Sequence, residues 1–115
     1  MADCLFCRIV AGEIPARIAK RSDDALAFHD IDGKAPVHVL VIPTRHVAAV
    51  RDAKGEDGER MLGALLAFAA EVASEQGLDS AGYRIVTNTG KNAGQSVDHL
   101  HLHVLGGRKL TWPPG

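Results

Sequence analysis

The sequence has few aromatic residues, few cysteines and no long apolar run. Aromatic side chains make up 4% of the 115 residues, and the two cysteines are Cys4 and Cys7. A single pair of cysteines does not build the disulfide framework of a small secreted domain. The apolar runs stop well short of the roughly 20 residues that a membrane-spanning helix needs. The first ten residues lack the basic start and long apolar core of a secretory signal, so we expect a cytoplasmic protein without a membrane partner.

No charge of one sign prevails either. Thirteen basic and fourteen acidic residues leave a formal net charge of −1. Proteins that bind nucleic acid polymers carry clustered basic residues to contact phosphates, so we expect no such partner here. The chain is 46% hydrophobic, and its length suits a single domain over residues 1–115.

Hydrophobic periodicity predicts an α+β fold. Apolar residues recur every three or four positions over 57–76, which predicts one long helix, and Gly77 follows as its C′ residue. A short helix is predicted over 4–11 and ends at Gly12. The segments with strand character are 16–20, 25–29, 38–42, 83–88 and 99–105. Because the strands outnumber the helices and do not alternate with them, we expect antiparallel hairpins with helices packed on the sheet.

His99, His101 and His103 alternate with apolar residues in the last predicted strand. Successive side chains of a strand point to opposite faces, so the imidazoles share one face and the apolar residues face the long helix. Three explanations remain open for such a row. The imidazoles bind zinc, or they are ordinary histidines satisfied by backbone and water. In the third, one ring attacks phosphorus while the others donate hydrogen bonds to its oxygens.

The loop before this strand favours phosphate chemistry. Gly90 and Gly94 allow backbone N–H groups to approach an anion closely, and Asn88 and Ser96 add polar contacts. Such a loop directly ahead of aligned imidazoles predicts a cradle for one phosphate.

Cys4 and Cys7 form a CxxC pair. A thioredoxin-like motif lies where a strand enters a helix, and only three residues precede Cys4. A half-site for zinc is the better interpretation, provided that two further ligands come from elsewhere in the chain.

The segment from His99 to Leu105 fits the signature His-φ-His-φ-His-φ-φ, where φ is apolar. Further matches run in order along the chain: GEIP at 12–15, AFHDI at 27–31, HVLVIP at 38–43, GQSV at 94–97 and WPPG at 112–115. On these residues the chain resembles the histidine triad (HIT) family, and within it the nucleotide-binding, Hint-type branch. The resemblance implies the HIT fold, with an antiparallel sheet of about five strands, one long helix, a short N-terminal helix and a homodimeric assembly.

The resemblance also implies an activity. Hint-type proteins are purine nucleoside phosphoramidases, hydrolases that cleave the P–N bond of adenosine 5′-phosphoramidates and release AMP. His101 would attack phosphorus and form a nucleotidyl-histidine intermediate, and no cofactor is needed for this catalysis. His103, His99 and His38 would complete the set of site histidines, and Ser96 would lie near the leaving nitrogen.

A nucleotide pocket follows from the same resemblance. Asp30 would hold the ribose hydroxyls, although it can instead serve only the turn at 32–33. Phe28 and Ile31 would surround the base, although both can instead be ordinary core residues. The expected contacts of a purine mononucleotide, of AMP or GMP type, are Asp30, Phe6, Ile9, Phe28, His29, Ile31, Asn88, Gly94, Gln95, Ser96, Val97, His101, His103 and Trp112.

Bacterial-type relatives hold a structural zinc with a cysteine pair. The resemblance assigns its four ligands here to Cys4, Cys7, His46 and His99. A closed Cys₂His₂ set is structural rather than catalytic, and the alternative is a pair of reduced, free thiols. On this assignment the His99 ring cannot serve both the zinc and the phosphate.

The C-terminal tail, 107–115, is expected at the dimer interface, where Trp112 would reach the neighbouring subunit's site. The alternative is a frayed tail. Two other functions remain open: a dinucleoside polyphosphate hydrolase or nucleotidyl transferase of another HIT branch, and a nucleotide-sensing module without turnover.

Overall fold

A five-stranded antiparallel sheet forms the centre of the structure, a computed structural model that describes residues 3–115. The helices and strands, in chain order, are α1 (Leu5–Val10), β1 (Ile18–Arg21), β2 (Ala25–His29), β3 (Val37–Pro43), α2 (Gly55–Glu75), β4 (Tyr83–Val86) and β5 (Leu102–Gly106). Short 3₁₀ turns lie at Val50–Asp52 and Lys91–Ala93. None of the described helices is long and apolar enough to cross a bilayer.

The strand order is β1-β2-β3-β5-β4, and every neighbouring pair is antiparallel. In the central β3–β5 pair, Leu40 lies opposite His103 and Val41 lies opposite Leu102. This arrangement confirms the predicted α+β fold, with one long helix and one short N-terminal helix.

The long helix α2 packs on one face of the sheet. Its buried stripe includes Leu65, Phe68 and Val72, and the stripe belongs to the same cluster as Leu100, Leu102 and Val104. The apolar residues between the histidines therefore face α2, as the alternation predicts. The chain leaves this helix through a glycine with φ of +77° at position 77, the left-handed conformation of a C′ residue.

The short helix α1 packs on the other face of the sheet. Phe6 and Ile9 are buried there against Leu26, Phe28, Leu40 and Ile42. The Sγ atom of Cys4, the N-cap residue, accepts a hydrogen bond from the Cys7 backbone N–H. The same short helix thus brings an aromatic ring and both cysteines to the histidine face.

The element boundaries differ from the predicted ones. The last strand begins at Leu102 instead of His99, because the Leu100 N–H donates to Val47 O at 2.6 Å and not to β3. The other boundaries differ from the predicted ones by one or two residues. The observed bounds are 5–10 for α1, 18–21 for β1, 37–43 for β3, 55–75 for α2 and 83–86 for β4.

Candidate active site

His38, His101 and His103 come together on the α1 face of the sheet. The ring centroids of His101 and His103 are 5.0 Å apart, and those of His38 and His103 are 5.2 Å apart. His101 is buried, and its ring meets the Phe6 ring edge-to-face at 5.2 Å. The structure therefore assembles three of the predicted site histidines around one point.

The hydrogen bond of His101 determines which ring nitrogen carries its proton. Its Nδ1 lies 2.7 Å from the backbone oxygen of His99. Because a carbonyl oxygen only accepts, Nδ1 must hold the hydrogen, and the neutral ring keeps a lone pair on Nε2. An imidazole in this tautomer can act as a nucleophile through Nε2.

A second set of hydrogen bonds determines the tautomers of His38 and His103. The Lys34 backbone N–H donates to His38 Nδ1 at 3.0 Å, so His38 carries its own proton on Nε2. That Nε2 lies 2.9 Å from His103 Nδ1 and donates to it. The remaining hydrogen of His103 is therefore on Nε2, a buried atom without a hydrogen-bond partner among residues 3–115.

Burial keeps these two rings neutral. Desolvation, together with the neighbouring His101 and His38, lowers the pKa of His103 to about 4. Burial also lowers the pKa of His38, against the opposing effect of Asp30. Both rings are therefore neutral at pH 7, as the chain of donors requires.

Asp30 takes part in a turn and also approaches His38. Its Oδ1 accepts from the Asp32 N–H at 2.8 Å, which is the turn-stabilising contact expected as the alternative to ribose binding. Its Oδ2 lies 3.5 Å from His38 Nε2, and its side chain is 20% exposed. One carboxylate oxygen thus remains free to meet a ligand beside the histidines.

The glycines of the loop at 88–96 have the expected backbone, but several N–H groups bond within the loop: the Gly94 N–H donates to Lys91 O at 3.1 Å and the Gln95 N–H donates to Gly90 O at 3.1 Å. Gly90 and Gly94 both have a φ of +84°. Gln95 braces the loop from inside: its Oε1 accepts from the Gly90 N–H at 2.8 Å, and its Nε2 donates to Ala48 O at 2.7 Å. Gln95 was expected as a nucleotide contact, and its amide is engaged with the protein itself. Ser96, the next residue, is exposed.

The residues expected around the base are divided between core and surface. Phe6, Ile9 and Phe28 are buried, with the rings of Phe6 and Phe28 edge-to-face at 5.5 Å. Ile31 is fully exposed, so the alternative of an ordinary core residue is wrong for this position. His29 is half-buried at the end of β2, and burial lowers its pKa.

Cys4, Cys7, His46 and His99 form a second group, which we call the cysteine–histidine cluster. His99 Nδ1 lies 3.4 Å from Cys4 Sγ and 3.6 Å from Cys7 Sγ. His46 Nδ1 lies 3.4 Å from Cys7 Sγ. Tetrahedral zinc with ordinary Zn–S and Zn–N bonds separates its sulfur and nitrogen ligands by about 3.6 Å. The donor set and its spacing therefore fit zinc.

Both ring nitrogens of His99 are occupied on this side of the molecule. Its Nε2 donates to Pro43 O at 2.9 Å, so Nδ1 carries the lone pair that faces the sulfurs. The ring is fully buried, and burial lowers its pKa. Burial and the neighbouring Cys4 raise the pKa of Cys7, which keeps this thiol protonated when no ion is present. The structure thus places the His99 ring with the cysteines and only its carbonyl with His101.

The tail beyond β5 lies against the surface. Trp112 is 78% exposed, and its ring centroid is 5.7 Å from the Arg84 guanidinium. Arg108 Nη2 donates to Lys34 O at 2.9 Å. These two contacts hold the start and middle of the tail.

Sequence reasoning missed one hydrogen bond at the site. Thr87 Oγ1, just beyond β4, donates to the backbone oxygen of His101 at 2.9 Å. The position alternates like any strand residue, so no sequence signal indicates the contact. The bracing role of Gln95 was missed in the same way, because both depend on which backbone oxygen lies nearby.

A histidine row on the central strands of a five-stranded antiparallel sheet, preceded by a glycine-rich loop, defines a histidine triad domain. Residues 11–110 match the HIT domain family, and the chain belongs to that family. It is 48% identical to a Synechococcus elongatus protein described as an uncharacterized HIT-like protein, over 98% of this chain and 97% of that one.

Solved structures agree with this assignment. The crystal structure of a HIT family hydrolase from Legionella pneumophila is similar with a TM-score of 0.94 and 46% identity, covering 98% of this chain and 100% of that one. A histidine triad nucleotide-binding protein from Candida albicans is similar with a TM-score of 0.82 and 30% identity, covering 98% of this chain and 85% of that one.

Proposed function

We propose that the protein is a Hint-type purine nucleoside phosphoramidase, a hydrolase that releases AMP from adenosine 5′-phosphoramidates. The observation that carries the proposal is a pair of adjacent imidazoles whose hydrogen bonds determine complementary roles for their Nε2 atoms. His101 offers a lone pair on Nε2, and the adjacent His103 offers a buried, unpaired N–H on its own Nε2. A buried donor left unpaired costs about 1–3 kcal/mol, so the site is suited to an acceptor such as a phosphate oxygen.

The names of the similar structures support two parts of this proposal, hydrolysis and nucleotide binding. The Legionella pneumophila protein is called a hydrolase and the Candida albicans protein is called nucleotide-binding. The P–N bond specificity rests on the resemblance to the Hint-type branch, including the Trp-Pro-Pro-Gly end of the chain.

The reaction proceeds in two displacements. His101 Nε2 attacks phosphorus, the P–N bond breaks, and the nitrogen leaves as an amine after gaining one proton from solvent; the resemblance puts Ser96 near this nitrogen. A water oxygen then attacks phosphorus, the P–Nε2 bond breaks, and AMP leaves while the second proton of the water is released. His103 Nε2–H donates to a phosphate oxygen in both steps, where negative charge increases.

The rest of the site binds the nucleotide. Backbone N–H groups of the loop at 88–96 surround the phosphate, and the free oxygen of Asp30 accepts from the ribose hydroxyls. His29 and Ile31, at the end of β2 and the start of the following turn, lie beside the base. This chemistry uses imidazoles and backbone amides, and it needs no cofactor.

Trapping of the intermediate tests the proposal. Wild-type protein mixed with an adenosine phosphoramidate and quenched in acid-free denaturant is expected to carry one AMP adduct on His101 by mass spectrometry. His101→Ala should form no adduct and release no AMP. Ser96→Ala is the matched variant, since it should still form the adduct but more slowly with poor leaving groups. An adduct on His101→Ala would overturn the nucleophile assignment.

The same assay separates the alternative functions. Faster cleavage of a dinucleoside polyphosphate than of the phosphoramidate would favour the hydrolase or transferase of another HIT branch. Tight AMP binding without any adduct would favour a nucleotide-sensing module.

We also propose that the cysteine–histidine cluster holds a structural zinc ion. Bound there, zinc would supply a four-coordinate cross-link between α1 and the segments that carry His46 and His99. Less than about 0.2 equivalent of zinc in protein purified without chelator would exclude this proposal in favour of free thiols.

The proposal further includes a cytoplasmic homodimer, with tail 107–115 at the interface. The exposed Trp112 and the open edge of β4 support association, because exposed apolar side chains beside a free strand edge favour pairing. Sedimentation equilibrium should give twice the 12.2 kDa chain mass, and a monomer at micromolar concentration would exclude the dimer.

A further inference from the structure

We propose that the cysteine–histidine cluster is a positioning device for the nucleophile, in which a metal ion held at His99 Nδ1 would fix the orientation of His99 and with it the carbonyl that accepts from His101. This inference rests on the proposed role of His101, and it assigns to the cluster a part in the reaction beyond structural cross-linking. The shared residue is His99, whose ring belongs to the cluster and whose carbonyl belongs to the active site.

The three polar groups of His99 point to three different partners. Nδ1 faces the two sulfurs, Nε2 donates to Pro43 O at 2.9 Å, and the backbone oxygen accepts from His101 Nδ1 at 2.7 Å. A metal ion at Nδ1 and the Pro43 carbonyl at Nε2 would hold the ring from both sides, and with it the orientation of the whole residue.

The segment 99–101 is not hydrogen-bonded into the sheet. Residues 99–101 precede β5, whose first residue is Leu102, and the Leu100 N–H pairs with Val47 O instead of with β3. The position of the His99 carbonyl thus depends on its ring contacts and on the chain around Val47. Both depend on the cluster, because Val47 directly follows the ligand His46.

A second connection runs through the same segment to the phosphate loop. Ala48 O, two residues after His46, accepts from Gln95 Nε2 at 2.7 Å. Gln95 in turn accepts from the Gly90 N–H at 2.8 Å and so holds the loop in shape. The cluster therefore braces the nucleophile through His99 and the anion cradle through residues 46–48.

Without a metal ion, the His99 ring keeps its bond to Pro43 but is not held at Nδ1. The residue can then turn about that bond, and its carbonyl is less precisely placed against His101 Nδ1. His101 Nε2 is aimed at phosphorus less often, and formation of the nucleotidyl-histidine slows.

Nitrogen-15 NMR of the histidine rings provides a direct test that does not depend on activity. In zinc-loaded protein we expect one sharp set of ring signals from His101 and a metal-shifted Nδ1 signal from His99. After chelation, with folding verified by circular dichroism, the His101 signals should broaden or split as the ring takes up several orientations, and one equivalent of zinc should restore the single set. Unchanged His101 signals on removal and return of zinc, or no change at His99 Nδ1, would overturn the proposal.

A matched pair of variants adds a kinetic readout. His46→Ala removes a ligand that itself contacts neither His101 nor the phosphate loop, and single-turnover formation of the adduct should slow by about 10- to 100-fold. Arg45→Ala alters the adjacent exposed residue, whose ion pair is with Asp57 at 2.8 Å, and should behave like wild type. Equal rates for the two variants would contradict the proposal.

The two readouts keep this inference separate from the proposed function. If no variant and no wild-type sample forms an adduct, the phosphoramidase proposal fails, while the NMR result still decides whether the cluster controls the position of the His101 ring. If His46→Ala does not fold, chelation of the wild-type protein carries the same test.

Discussion

His38 Nε2 and His103 Nδ1 are joined by a hydrogen bond of 2.9 Å that can run in only one direction. The Lys34 N–H occupies His38 Nδ1, so His38 must donate and His103 must accept. Protonation of either ring would place two donors against each other. Neutrality of this pair is therefore a condition of the folded site, and it has consequences for stability.

We expect the protein to lose stability as the pH falls from about 6.5 to about 4. His103 has an ordinary pKa of 6.5 when unfolded and a pKa of about 4 when folded, so the unfolded chain binds more protons throughout this window. The loss from this residue, which is partly exposed, should be on the order of 1–3 kcal/mol. Urea denaturation of wild type and His103→Asn at pH 7.5 and 4.5 measures it. An equal loss in both proteins would contradict the assignment to His103.

Phe6 is expected to support both the fold and the nucleophile. Its ring is buried and lies edge-to-face against Phe28 and His101. Phe6→Ala should lower the free energy of unfolding by about 3–5 kcal/mol, and Phe6→Leu should cost less. The control is Leu5→Ala on the same helix, which is 45% exposed and should cost under about 0.5 kcal/mol. Thermal and urea denaturation would show the difference, and similar losses at positions 5 and 6 would contradict this packing.

Thr87 is expected to act as a positioning residue for His101. Its hydroxyl donates to the His101 carbonyl at 2.9 Å. His101 lies just before Leu102, the first residue of β5. Thr87→Val keeps the shape and removes a hydrogen bond worth about 1 kcal/mol, so adduct formation should slow several-fold at unchanged KM. Thr87→Ser retains the hydroxyl and should restore the wild-type rate. A serine variant as slow as the valine variant would exclude the role of this bond.

Gln95 is expected to determine AMP affinity without touching the nucleotide. Gln95→Glu still accepts from the Gly90 N–H but places a carboxylate against the Ala48 and Val97 oxygens, where the amide now donates. The Kd for AMP, measured by calorimetry, should rise about tenfold or more. Asn92→Asp adds the same charge to the same loop on an exposed residue, and its effect should be much smaller. Comparable effects of the two variants would mean that charge, and not bracing, controls binding.

The two faces of the histidine strand could be predicted from the sequence because they depend only on local geometry. Alternation of side chains along an extended chain puts His101 and His103 on one face and Leu102 and Val104 on the other, and the structure confirms it. The long helix follows from its apolar period in the same way. Such patterns are read from neighbouring residues and need no knowledge of the rest of the fold.

The resemblance grouped His99 with the cysteines, but which of its ring nitrogens faces them could not be predicted, because that depends on partners that are distant in sequence. The carbonyl of Pro43, 56 residues away, takes the Nε2 proton and turns Nδ1 toward Cys4. The early end of the strand ladder also depends on a remote backbone oxygen, that of Val47. Sequence patterns identify these residues as candidates, and only the tertiary fold decides which atoms meet.

The donor that determines the His38 tautomer is a backbone N–H, that of Lys34. Every amino acid except proline has this group, so replacement of the Lys34 side chain leaves this hydrogen bond in place. Lys34→Ala would retain this hydrogen bond, whereas Lys34→Pro would remove it. Part of the information that specifies this active site is therefore carried by the path of the main chain, where comparison of side chains does not detect it.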